Sequence, residues 1–255
     1  MATDIPGKDS LADLPTLYGH LMTESNLWLI VPAAGIGQRM QAECPKQYLR
    51  IDCRFILDIT LSRVLNAAQF SGCMVPLNPS DHWWPTTESS QDKRIQTCIG
   101  GAERADSVLA ALRALAGQAG DDDWVLVHDA ARPCVRQQDI EMLMTRLEDH
   151  AVGGLLGVPV ADTMKQVDSD NMILKTVERD GLWRALTPQM FRLGPLRDAL
   201  QQAIASGVMV TDDAAAMEMA GHRSKMVEGH ADNIKITRPG DLKLAEFYLQ
   251  SRETV

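Results

Sequence analysis

No stretch of this 255-residue chain approaches the run of about 20 apolar residues that a membrane-spanning helix requires, so no membrane partner is expected. Cysteine is sparse. Cys44, Cys53, Cys73, Cys98 and Cys134 are scattered, odd in number and without a C-x-x-C pair. That usage predicts reduced thiols in a cytoplasmic protein, not a disulfide framework or a zinc site. The six histidines lack metal-ligand spacing. Positive charge is the scarcer sign, with 25 Lys and Arg against 34 Asp and Glu and a net charge of -9. An acidic surface argues against broad nucleic-acid or anionic-membrane binding, although a few local cations can still capture a phosphorylated small molecule. Two phosphate motifs are missing. The glycine-rich segment has Met40 where a dinucleotide fingerprint needs its third glycine, and no P-loop occurs. Residues 1–26 carry Lys8 as their only Lys or Arg and no continuous apolar stretch, unlike a signal peptide. They are expected to be a mobile extension, with a short helix near Leu11 to Met22, ahead of a single domain over 27–255.

What is present alternates. Short apolar runs at Leu27–Val31, Met74–Leu77 and Val125–Val127 read as buried strands, and Ile95–Cys98, Leu155–Val160 and Ser224–Val227 read as further strands. Helical spacing appears at Phe55–Leu65, Ser107–Ala116 (with Asp106 as N-cap), Asp139–Leu147, Pro195–Ala205, Asp213–Ala220 and Asp241–Leu249. The alternation predicts an α/β fold with a mostly parallel sheet covered on both faces. Pro76 cannot donate to a ladder, so its strand should lie at an edge or end there. Ser80–Asp92 reads as a loop or short helix. Thr163–Val167 and Met172–Val177 flank a polar turn, Asp168 to Asn171, and predict a β-hairpin within about 162–182. An isolated hairpin is marginal in water, so it should project from the sheet and pack on a second subunit.

Four segments carry chemistry. Pro32-Ala33-Ala34-Gly35-Ile36-Gly37-Gln38-Arg39-Met40 follows a strand directly. Its small residues let backbone N–H groups approach phosphate oxygens, and Arg39 adds a guanidinium. Lys46, in Cys44-Pro45-Lys46-Gln47-Tyr48, can neutralise a triphosphate on the same loop. In Val125-Leu126-Val127-His128-Asp129-Ala130-Ala131-Arg132-Pro133, Asp129 stands at a strand's C-terminal end, where open α/β sheets bind ligands. It could hold Mg²⁺ between phosphates, or simply cap a turn. Gly100-Gly101-Ala102-Glu103-Arg104-Ala105-Asp106-Ser107-Val108 opens the backbone to a planar base, with Ser107 able to bond base or ribose. Lys235, in Ala231-Asp232-Asn233-Ile234-Lys235-Ile236-Thr237, is a late isolated cation that in isolation reads as surface.

Taken in order, P-A-A-G-x-G-x-R-M, P-K-Q-Y, G-G-x-x-R-x-x-S-V, V-H-D-A-A-R-P, L-T-P-Q and D-N-I-K-[IV]-T resemble the 2-C-methyl-D-erythritol 4-phosphate cytidylyltransferase family, from Leu27 to about Leu249. The resemblance implies a Rossmann-like nucleotidyltransferase fold and a homodimer joined through the hairpin arm. It also implies CTP as co-substrate and Mg²⁺ as cofactor. Ala33, Ala34, Gly35 and Gly37 would shape the CTP loop, and Gly101 and Ser107 would contact cytosine or ribose. Arg39, Lys46 and Lys235 would be catalytic, and Asp129 would bind the metal. Arg132, Thr163, Arg179 and Thr187 would serve the acceptor. The alternatives are a ribitol 5-phosphate cytidylyltransferase and a non-catalytic nucleotide-binding protein on the same fold. The chain departs from the family pattern in Pro76, in Ala102 and in the extension.

Overall fold

The computed structural model describes residues 26–35 and 44–253; the extension with its expected helix, and Gly37 and Arg39, lie outside the described residues. A seven-stranded sheet forms the centre, in the order β11-β7-β10-β6-β1-β4-β5. Its strands are β1 (Leu27–Ile30), β4 (Gly72–Leu77), β5 (Ile95–Ile99), β6 (Trp124–Val127), β7 (Gly153–Pro159), β10 (Trp183–Arg192) and β11 (Lys225–Glu228). All neighbours pair in parallel except β10, which runs antiparallel to β6 and β7.

Strand side chains alternate between faces, and the core divides accordingly. Leu27, Leu29 and Val31 pack with Leu57 and Leu61 of α1 (Ile56–Leu65) and with Ile140 and Leu143 of α3 (Gln137–Leu147). Trp28 and Ile30 face the other way, onto α2 (Arg104–Ala114), α4 (Leu193–Ala205) and α5 (Asp213–Met219). A third cluster seats Ala245 and Leu249 of α6 (Pro239–Glu253) against Ile56 and Ile59 of α1 and against Ala131, Cys134 and Ile236. That packing fixes both the chain after β6 and the D-N-I-K segment.

Two small ribbons complete the fold. β2 (Arg50–Ile51) pairs with β3 (Arg54–Phe55), and β8 (Met164–Val167) pairs antiparallel with β9 (Ile173–Val177). The second is the expected hairpin. Asp168 Oδ1 accepts from the backbone N–H of Asp170 (3.0 Å) and Met172 (2.9 Å), closing the polar turn. Almost every residue of the arm is exposed, including Met172, Ile173 and Leu174.

Two expectations change, and a third is met in only one of its alternatives. β4 is an interior strand and not an edge, but it ends at Leu77, one residue past Pro76. The Pro76 carbonyl accepts from Ala33 N–H (3.0 Å). A strand residue's N and O point the same way, so the missing donor faces the place where β1 has already become loop. Helix α2 begins at Arg104, with Glu103 as N-cap. Asp106 is the third helical residue and completes a reciprocal capping box with Glu103 instead of capping the helix itself. β10 had no counterpart in the apolar pattern, because Thr187, Pro188 and Gln189 interrupt it. Its pairing with β7 shifts register between Ala185 and Gln189, and this irregular stretch accommodates the proline, whose bond to Thr187 is cis.

Candidate active site

The chain leaves β1 for β4 on one side, while β6 lies on the other. Open α/β sheets bind ligands at such a switch point, beyond the carboxyl ends of the strands. A cavity of about 200 Å³ occupies it, lined by Pro32 to Gly35, Lys46 and Gln47, Gly101 to Arg104, Ser107, Asp129 to Ala131, and Lys235. Five separated sequence segments therefore meet in one cleft.

Each wall is held by identifiable bonds. Lys46 opens the 3-10 turn Lys46–Tyr48, and the next residue, Gln47, is buried. The Gln47 amide donates to the carbonyls of Ala33 (2.7 Å) and Gly35 (3.1 Å), tying the P-K-Q-Y turn to the glycine loop. Asn78 Nδ2 donates to Ala34 O (3.3 Å) from the end of β4. On the opposite wall Gly101 N–H donates to Ser107 Oγ (3.1 Å), and the hydroxyl donates to Glu103 O (3.1 Å). A Cβ at Gly101 would fall 2.2 Å from Asp106 Cβ, and one at Gly100 2.5 Å from Ala34 Cβ, so both glycines are required by close approach.

Asp129 forms the floor. Its Oδ1 accepts from Arg104 Nε (2.9 Å); its Oδ2 meets Lys235 Nζ (2.8 Å) and, more loosely, Arg132 Nε (3.5 Å). Burial works to raise its pKa, but Arg104, Lys235 and Arg132 together hold the carboxyl well below the usual carboxylate range. Arg104 also bridges to the buried Asp213, with Nη1 to Oδ1 at 3.0 Å and Nη2 to Oδ2 at 2.8 Å. Burial lowers the Arg104 pKa and the two carboxylates raise it, for a net rise. Asp213 is raised by its own burial, with Arg104 pulling it back. The two-pronged geometry is that of a guanidinium facing a carboxylate, and on that ground Asp213 is ionised.

Behind the floor, Thr187, His128 and Asn233 are buried. Burial pulls His128 down to about 4, so it is neutral at pH 7. Its Nε2 lies 3.1 Å from Arg132 O, which can only accept, so that nitrogen carries the proton. Nδ1 then accepts the Thr187 hydroxyl (3.1 Å), and Thr187 Oγ1 accepts from Asp129 N–H (3.1 Å). The Thr187 hydroxyl proton is therefore committed within the fold, and only an acceptor lone pair is left for a ligand. Asn233 Nδ2 donates to Thr187 O (2.8 Å) and Arg132 Nη1 donates to Asn233 O (2.7 Å), which locks L-T-P-Q, V-H-D-A-A-R-P and D-N-I-K together.

The structure thus gathers Ala33, Ala34, Gly35, Lys46, Gly101, Ser107, Asp129 and Lys235 around one cavity. Arg132 and Thr187 sit behind it, each bonded to Asp129. Thr163 and Arg179 lie on the exposed arm and do not line the cavity; Arg179 donates to Ala161 O. Sequence reasoning assigned no role to Gln47, Arg104, Gln189 or Asp213. The first three stand inside motifs already quoted, but their partners are remote in sequence. Among the described residues no group of three or more His, Cys, Asp or Glu could hold a metal by itself.

Comparison with known proteins bears on the same segments. The family model IspD, 2-C-methyl-D-erythritol 4-phosphate cytidylyltransferase, matches residues 27–251. A relative of that name from Hahella chejuensis is 52% identical over 234 residues, covering 92% of this chain and 97% of its own. One from Vibrio vulnificus is 49% identical over 229 residues, covering 90% and 96%. Among solved structures, the Francisella tularensis enzyme of that name aligns with a TM-score of 0.77 at 38% identity, covering 88% of this chain and all of the other. The Thermus thermophilus enzyme aligns with a TM-score of 0.72 at 29% identity, covering 89% and 100%.

Proposed function

The chain belongs to the 2-C-methyl-D-erythritol 4-phosphate cytidylyltransferase family, and we infer that it transfers the cytidylyl group of CTP to 2-C-methyl-D-erythritol 4-phosphate, releasing pyrophosphate, in isoprenoid precursor synthesis. The observation that carries this reading is the cation-lined cleft at the switch point, built from five of the six motifs the family name rests on.

The mechanism follows from charge. The acceptor phosphate is already anionic at neutral pH, so no general base is needed. One of its oxygens attacks the α-phosphorus of CTP. A phosphorus–oxygen bond forms there as the bond to the β-phosphate oxygen breaks and pyrophosphate departs. Lys46 on one wall and Lys235 on the floor provide fixed positive charge where negative charge builds up, and Arg39 is assigned the same task by resemblance. Gly101 and Ser107 form the wall for the base and ribose, where Ser107 retains a lone pair for a ligand donor. Arg132 and Thr187 are assigned to the acceptor by resemblance, and from behind the cavity they would act there through Asp129, to which both are bonded.

Asp129 would hold Mg²⁺. Its ionised carboxylate already attracts three cationic side chains, and a single carboxylate plus phosphate oxygens suits that ion. When bound, the ion would neutralise phosphate oxygens and increase the electrophilicity of phosphorus. Thr163 and Arg179 would act from the arm of a second copy, because they lie away from their own chain's cavity. The exposed Met172, Ile173 and Leu174 supply apolar surface for such a homodimer. The five unbridged cysteines accord with a cytoplasmic enzyme acting on small molecules, not on nucleic acid or membranes.

The test is pyrophosphate release from CTP and Mg²⁺ with methylerythritol phosphate and ribitol 5-phosphate offered separately. Release with the first is expected. Release with ribitol 5-phosphate alone would overturn the acceptor, and silence with both from folded, CTP-binding protein would overturn the reaction.

A further inference from the structure

We propose that Arg104 is a positioning residue that fixes the Asp129 carboxylate for its cation and phosphates, and that Asp213 is the anchor holding Arg104 in place. The proposal rests on the reading of Asp129 as the metal-holding residue.

Arg104 is the first residue of α2, immediately after the loop that forms one wall of the cleft. The capping box between Glu103 and Asp106 sets that helix end, and with it the origin of the Arg104 side chain. Its guanidinium then divides its donors. Nε reaches Asp129 Oδ1, while Nη1 and Nη2 fork onto both oxygens of Asp213. A planar group gripped along one edge has little freedom to turn, so the remaining donor holds Asp129 in one orientation. With Oδ1 committed to Arg104, the Oδ2 edge is the one that faces Lys235, and that edge is where an incoming cation can exchange with an ammonium.

The anchor is itself held. Asp213 begins α5, and its neighbour Asp212 caps that helix by accepting from Ala215 N–H (2.9 Å). Gln189 of L-T-P-Q clasps the same end, donating to Asp212 Oδ2 (2.9 Å) and accepting from Ala214 N–H (2.9 Å). The run L-T-P-Q therefore reaches the cleft by two routes. Thr187 bonds the Asp129 backbone, and Gln189 places the helix whose Asp213 orients the Asp129 side chain through Arg104. Burying a carboxylate and a guanidinium is at best a small gain in stability over apolar packing, so position is the better account of this pair.

The experiment measures Mn²⁺ binding in the presence of CTP by electron paramagnetic resonance, together with the Mg²⁺ dependence of turnover. The proteins are full-length wild type, Arg104→Lys, Asp213→Asn, the double variant and Asp129→Asn. A lysine carries the charge but has no planar fork to grip both Asp213 oxygens while holding Asp129 in one orientation. Arg104→Lys and Asp213→Asn are each expected to weaken Mn²⁺ binding roughly 10–100-fold, the usual cost of losing a residue that orients a metal ligand. The double variant should be no worse than the weaker single one, because both remove the same restraint. Folded Arg104→Lys with wild-type Mn²⁺ affinity, beside a weakened Asp129→Asn, overturns the clamp alone. Losses that multiply in the double variant also overturn it. Wild-type affinity in Asp129→Asn overturns the underlying reading of the metal site. Should Asp213→Asn fail to fold, Arg104→Lys against Asp129→Asn still decides.

Discussion

Replacing Gly101 by alanine should damage the fold and the cleft together, and the size of the effect can be worked out from contacts. The added Cβ would lie 2.2 Å from Asp106 Cβ and 3.2 Å and 3.3 Å from Asp106 C and Cα. Asp106 is inside the first turn of α2 and cannot swing aside, so the loop must lift. Lifting it removes the Gly101 N–H from Ser107 Oγ and pulls Glu103 out of its capping box. Overpacking of this kind costs about 1–3 kcal/mol, and loss of a cap about 0.5–2 kcal/mol. One movement causes both, so the two overlap and the expected total is about 2–3 kcal/mol. For a chain of this size that lowers the melting temperature by roughly 4–12 °C. Displacement of the wall by even an ångström should weaken productive CTP binding up to about 100-fold. Gly35→Ala is the contrast for stability, since among the described residues a Cβ there meets nothing within 4 Å. Scanning calorimetry and CTP titration of the two variants make the comparison. A Gly101→Ala protein that melts within about 1 °C of wild type and binds CTP as tightly would refute the close-approach reasoning.

Lys46→Ala should leave the melting temperature near wild type while lowering kcat roughly 10²–10³-fold, as for loss of one preorganised donor; near-normal turnover would remove Lys46 from the mechanism. Asp123 lies at the opposite end of the sheet, where it accepts from the backbone N–H of Asn26 and Gly120 and from Trp28 Nε1, each at 3.0 Å. Burial works to raise its pKa, but these donors prevail and lower it. Its contribution is therefore complete above the unfolded value of about 4 and is lost as pH falls through the folded one. Asp123→Asn should cost about 1–3 kcal/mol in urea unfolding at pH 7, and the difference from wild type should shrink as pH drops below about 4. On the arm, Ile173→Glu with Leu174→Glu changes residues that are 64% and 60% exposed, so the melting temperature of the chain should barely move. Sedimentation should then report a monomer with reduced turnover; an intact dimer would separate the arm from assembly.

The α/β architecture was legible because its central strands β1, β4 and β6 are buried on both faces and read as compact apolar runs. Leu27, Leu29 and Val31 turn to one layer and Trp28 and Ile30 to the other, with no polar residue between them. Misreadings arose where side chains answer to a bond instead of a core. Asp106 looks like an N-cap because aspartate is a preferred one, yet Glu103 takes that place through a reciprocal pair that only the folded turn reveals. β10 escaped notice because Thr187 and Gln189 point into hydrogen-bond networks, and a strand that spends its interior positions on polar contacts loses its apolar signature.

The candidate site divides along the same line. Residues whose chemistry is visible from type and local motif, such as Lys46, Asp129 and Lys235, do meet in the cleft. Residues that orient them were invisible, since Arg104 finds Asp213 across 109 positions and a single sequence has no means of pairing them. Net charge misleads in a related way. The chain carries -9 overall, yet Lys46, Arg104 and Lys235 line the cleft with Glu103 and Asp129. Three cations against two carboxylates in the lining leave an excess of one positive charge at the spot where a triphosphate would enter. A local excess of positive charge inside an acidic protein attracts small anions that fit the cleft. Selectivity for a small phosphorylated substrate is thus a property of where the few cations are held, and the buried carboxylates that hold them are as much a part of that selectivity as the lysines themselves.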